Sequence, residues 1–150
     1  MRRIMWNLND ESGGIGWGLP EAMGEILARR DSLADEYTRI LVSYANEEAN
    51  YLEHEGLQRG LLWGIGRLAQ AKPHRLCHAA PHLMRYLDSP DAAVRGHAAW
   101  VMGLLLVKEA RPRLKALMDD KSEFQIYLNG LLKTQRVCDA AARALEHLSR

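Results

Sequence analysis

The chain has 150 residues, with Lys and Arg totalling 20, Asp and Glu totalling 19, and a formal charge of +1. That length supports one hydrophobic core. Near-neutrality with both signs scattered argues against nucleic acid as the partner, because phosphate neutralisation supplies most such affinity.

Residues 1–19 read as a loop-rich segment, in which Asn7, Asn9, Asp10, Glu11 and Ser12 leave no apolar stretch for a secretory signal. Pro20 suits a first helical position and Glu21 suits the positive end of the dipole, so a helix opens there and runs to Asp31-Ser32. Leu33, Tyr37, Ile40, Leu41 and Tyr44 then form a helical stripe over 33–45. Asn50 and Glu53 have capping-box spacing, which predicts a long helix to about Ala71, stopped by Pro73. Pro81 starts a short helix through Leu83, Tyr86 and Leu87. Ser89 as N-cap and Pro90 at the first position open another, to about Val107. Pro112, Leu114 and Leu117 begin the next pair. Asn129-Gly130, between β-prone stretches, then predicts a hairpin over about 124–136, since both residues accept φ > 0. A final helix repeats Val94, Ala98 and Met102 as Val137, Ala141 and Leu145.

Leu57 to Gly66 superimposes without a gap on Val94 to Gly103 at an offset of 37 positions, pairing Trp63 with Trp100. Such a period marks repeat proteins, whose helix pairs bury their apolar faces only against neighbours. The reading is one all-α domain over 1–150, with repeat units at about 20–71, 73–107 and 110–150.

Two stretches carry a family resemblance. One is Pro81, Leu83, Tyr86 to Asp91, Val94-Arg95, Ala98-Ala99 and Met102-Gly103, followed by Ala110, Pro112, Leu114, Leu117 and Asp120. It resembles HEAT-like repeats of the phycobilisome-lyase type, over Leu76 to Ala116 and more weakly over Leu57 to Leu68. The other, Arg2 to Trp17 with Pro20 to Met23, is similar to a segment of an uncharacterised bacterial HEAT-like family. The resemblance implies a short α-α superhelix, a HEAT-like solenoid, and carries over no catalytic residue and no cofactor. It also implies a further repeat upstream, which would make Ile4, Met5 and Trp6 an under-capped edge suited to self-association.

On a helical wheel with Val94 at zero, Ala98, Met102 and Leu105 fall within about 80 degrees, while Trp100 lies at about 240 degrees with Gly96 and His97. The equivalent helix sets Arg59, Trp63 and Arg67 on the matching side. In HEAT-like repeats this helix lines the inner face, so Arg59, Trp63, Arg67, His97 and Trp100 form a candidate aromatic-cationic binding surface. The competing reading covers that face with the chain's own N-terminal segment, for instance by Asp10 or Glu11 pairing with Arg59 or Arg67. Asn9, Asp10, Glu11 and Trp17, amid four glycines, are a second candidate group; without a preceding strand or a Lys-Ser/Thr ending, a phosphate loop does not fit. Gly56, Gly60 and Gly64 form a stripe that costs helix propensity, which a close neighbouring backbone would offset.

His74, Cys77 and His78, with His82 beyond, are weak metal candidates, because Pro73 and Pro81 break the helix they would need. Cys77 and Cys138 lack C-x-x-C spacing and read as reduced thiols, pointing to the cytoplasm. The longest apolar run, 98–107, is too short to span a bilayer, so no membrane role is expected. No triad or paired-carboxylate pattern argues for an enzyme. The function expected is a non-catalytic scaffold for a protein partner of unknown identity. The alternatives are a lyase-like or cofactor-handling enzyme and a nucleic-acid-binding repeat protein.

Overall fold

The computed structural model describes residues 1–9 and 16–150. Among the described residues it forms eight α-helices, short 3-10 turns and one two-stranded antiparallel sheet. The all-α expectation with a small hairpin holds. The chain divides into two compact units, Met1–Leu76 and Cys77–Arg150.

In the first unit, α1 (Arg2–Leu8) occupies part of the segment expected to be loop. α2 (Leu19–Arg29) starts with Pro20 in its first turn, as its sequence predicts, after Gly18 in the left-handed region at φ 75°. α3 (Asp31–Ser43) follows at once. Its buried seam is Ala34, Thr38, Leu41 and Val42, one step round from the expected stripe. Thr38 is tolerated inside because its hydroxyl donates to the Ala34 carbonyl at 2.6 Å.

α4 (Glu55–Ala71) begins later than the Asn50–Glu53 pattern predicts. His54 is the N-cap, its Nδ1 accepting from the Gly56 amide at 3.1 Å. Asn50 instead donates to the Ser43 hydroxyl. The buried Gln58 amide donates to the Leu52 carbonyl at 2.9 Å and Tyr51 Oη at 3.1 Å, so α4 stitches down the turn that precedes it. Leu61, Leu62, Ile65 and Leu68 from α4, with Met23, Leu27, Leu41 and Tyr44, are fully buried. A 3-10 turn, Pro73–Leu76, closes the unit. There Lys72 Nζ donates to the Leu27 carbonyl at 3.0 Å and pairs with Asp31, while Arg75 pairs with Asp35. Both pairs hold the α2–α3 corner.

The second unit opens with α5 (Ala80–Leu83) and a 3-10 turn, Met84–Asp88. α6 (Ala92–Leu104) is capped by Asp91, which accepts from the Val94 amide at 2.9 Å; Ser89, the expected cap, accepts from the Asp91 amide one step earlier. α6 ends before Val107. Leu106 takes φ 54°, and the Val107 amide reaches the Met102 carbonyl while that of Leu106 reaches Gly103. That is a Schellman ending with leucine where glycine is usual. α7 (Arg111–Ala116) leads to β1 (Glu123–Leu128) and β2 (Leu131–Arg136), then α8 (Val137–Leu148). The strands pair from Glu123↔Arg136 to Leu128↔Leu131, and Asn129 at φ 53° and Gly130 at φ 80° make the turn. The hairpin thus lies where Asn129-Gly130 predicts it.

Candidate functional site

The stripe Gly56, Gly60 and Gly64 is where α2 and the residues before it lie on α4. A methyl group on Gly64 would stand 2.5 Å from the Pro20 carbonyl oxygen, and one on Gly24 would fall inside the Gly64 backbone. One on Gly60 would overlap the Glu21 carboxyl group. Helix meets helix here through bare backbone. Burial raises the Glu21 carboxyl above the usual carboxylate range, and its Oε2 finds no hydrogen-bond donor among the described residues.

Further along the stripe Trp17 is seated on α4. A methyl group on Gly56 would lie 2.5 Å from its indole, and the ring stands edge-on to His54 with centroids 5.0 Å apart. Yet Trp17 remains 59% exposed. Gly56, Arg59, Trp63 and Arg67 share one side of α4, within about 80 degrees. Arg59 is exposed and Trp63 half-buried. Arg67 Nε donates to Glu25 Oε2 at 2.7 Å. Hydrogen bonding from Arg29 first, then from Arg67, holds the Glu25 carboxyl below its ordinary range. The acid facing Arg67 is therefore on α2; Asp10 and Glu11, the acids weighed in the sequence reading, lie outside the described residues. Asn9 is exposed. On α1, Trp6 is 75% exposed while Ile4 and Met5 are half-buried.

Trp100 and His97 belong to the second unit and are described within it. His97 is 5% exposed, not solvent-facing. Its Nδ1 lies 2.7 Å from the Ala93 carbonyl, and its ring packs against Phe124 of β1 at 5.4 Å. The reason is Gly96: a side chain there would strike the Phe124 ring, so the absence of one lets β1 settle on α6. Trp100, half-buried, stands edge-on to His97 at 6.5 Å. The sequence reading missed this cover, although a glycine beside a histidine in mid-helix is the available signal of close approach.

A clamp also escaped that reading. Arg95 Nε donates to Asp120 Oδ2 at 2.8 Å, and its Nη1 donates to the Ser89 and Pro90 carbonyls. Asp120 in turn accepts from the Ser122 amide, and its carbonyl accepts from the Cys138 amide. One guanidinium thereby joins the start of α6 to the entries of β1 and α8. Burial works to raise the Asp120 carboxyl, but hydrogen bonds from Arg95 and Ser122 outweigh it and leave it below the usual range.

The segment bearing His74, Cys77 and His78 is a 3-10 turn followed by non-helical turn residues, with these three side chains exposed. Among the described residues no three His, Cys, Asp or Glu side chains gather closely enough to hold a metal ion. No helix among them is long and apolar enough to cross a membrane.

Within each unit one helix packs on another further along the chain, α2 on α4 and α6 on α8, at crossings lined by glycine, the build of a helical-repeat fold. The model for the HEAT-like repeat matches residues 55–105, which span α4 to α6, so this stretch carries a HEAT-like repeat. Among solved structures it is similar to a chain in the complex of CpcE and CpcF of phycocyanin lyase from Nostoc sp. PCC7120. The TM-score is 0.63 at 22% identity, over 97% of this chain and 52% of that one. The likeness is one of fold, and this chain spans about half the length of the solved chain. No curated protein matches the sequence.

Proposed function

We propose that this helical-repeat protein is a non-catalytic scaffold whose α4 surface binds a protein partner. The observation that carries the reading is Trp17: a large aromatic ring fixed against Gly56 and His54 but 59% open to solvent. Seated, exposed tryptophans with arginines nearby are the residues that dominate interface energies. Arg59, Trp63 and Arg67 continue along the same side of α4. Trp100 of α6 is a further contact position in its own unit, with His97 edge-on to its ring. The similar Nostoc chain occurs in a complex of two proteins, which suits a partner-binding role for this fold.

The test is affinity capture from cell extract with the full chain, followed by measured binding of the recovered partner. Trp17→Ala combined with Trp63→Ala is expected to weaken it by about 2 kcal/mol or more, as hot-spot truncations do. Undiminished binding by a folded double variant refutes this surface.

A further inference from the structure

Among the described residues the two strands form a sheet by themselves, so β2 has an outer edge. In the observed register the turn-closing pair Leu128↔Leu131 exchanges hydrogen bonds, and so do Ile126↔Lys133 and Phe124↔Gln135. The backbone N–H and C=O groups of Leu132 and Thr134 therefore point away from β1. Phe124 and Ile126 are buried and anchor β1, whereas Leu131 to Thr134 are all exposed. Leu131 and Leu132 are 62% and 63% exposed on opposite faces of the strand. Lys133 follows them and is exposed, Arg136 is already paired with Asp139 at 3.0 Å, and β2 contains no acidic residue. A lysine alone blunts a strand edge against unwanted pairing. Directly after two exposed leucines, it becomes a selective element instead.

We infer that the outer edge of β2 docks an extended, acidic and apolar segment of a protein partner, which adds to the hairpin as a third strand. Its backbone pairs with Leu132 and Thr134, its apolar side chains cover the leucines, and a carboxylate faces Lys133. A second copy of this chain fits less well. In antiparallel pairing of two β2 strands no register gives Lys133 a carboxylate, because β2 has no acidic residue. This site is separate in sequence and chemistry from the α4 surface and does not depend on it.

The test selects a random peptide display library on the immobilised full chain, then measures the enriched peptides by fluorescence anisotropy. Peptides that alternate acidic and apolar residues are expected. Thr134→Pro removes an outward N–H and no β1–β2 bond, and Lys133→Glu reverses the exposed charge; each is expected to weaken binding about tenfold. Circular dichroism checks that both variants fold, and Lys133→Glu stands alone if Thr134→Pro does not. The inference is overturned by enrichment of sequences without acids, by no enrichment, or by binding that survives Lys133→Glu. Binding lost only with Trp17→Ala also overturns it and leaves the α4 surface standing. A dimer in solution that Lys133→Glu alters would give the edge to a second copy and equally overturn it.

Discussion

Replacing Gly24 by alanine sets two physical effects against each other with opposite signs. Helix propensity alone favours alanine by about 1 kcal/mol in a helix interior, so an α2 that owed nothing to its neighbour would become more stable. In this fold the new methyl group falls within the backbone of Gly64, and backbone cannot swing aside as a side chain end does. Relief requires α2 and α4 to part by about 1 Å, and a gap of that size forfeits a quarter to a half of the dispersion energy along the crossing. Overpacking of this kind costs about 1–3 kcal/mol, more when backbone is struck. With the upper end of that range, the propensity gain leaves a net loss of about 2 kcal/mol. For a unit of this size that lowers Tm by roughly 10 °C. Thermal unfolding followed by circular dichroism on Gly24→Ala reads it directly. An unchanged or higher Tm would show that the helices are not in backbone contact at Gly24 and Gly64.

Arg95→Ala strands Asp120 and frees two carbonyls, and urea unfolding is expected to register a loss of about 3 kcal/mol. In the wild type the Asp120 contribution is present above its unfolded value of 3.8 and is lost as pH falls through its lower folded value; Asp120→Asn should flatten that acid limb. Glu21 has the reverse sign. Its folded value is raised above 4.5, so its contribution is full below that pH and is lost as pH rises through the folded value. Glu21→Gln is therefore expected to raise Tm at pH 7 and to make no difference near pH 4; a lower Tm at pH 7 contradicts the burial argument. Leu106 sits at φ 54° with its side chain exposed, so Leu106→Gly should gain about 0.5–1 kcal/mol in thermal unfolding by removing left-handed strain.

Where local chemistry decides, residues announced their structure. Asn129-Gly130 predicts the hairpin because a two-residue turn demands φ > 0 at both positions, and the turn has it. Pro20 and Pro73 bracket helices as expected. The α4 start was misread because Asn50–Glu53 has capping spacing, but Gln58 reaches back to Leu52 and holds that stretch as a turn, leaving His54 to cap. Such competition between one local pattern and a tertiary hydrogen bond is not visible in spacing alone. The repeat placed Trp63 and Trp100 on equivalent faces. It had no means to foresee that Phe124, some thirty residues downstream in an inserted hairpin, covers His97. Arg67 posed the same problem: its partner Glu25 lies on another helix and also serves Arg29.

The glycine crossing of α2 on α4 has a consequence for the indole that precedes it. No layer of side chains separates the two helices at Gly24 and Gly64 to let one slide over the other. Trp17, just ahead of α2 and resting on Gly56 of α4, is held by both members of this locked couple. A ring so placed has few orientations to surrender when something stacks on it, and the entropy that usually opposes association at an exposed aromatic is largely spent in folding.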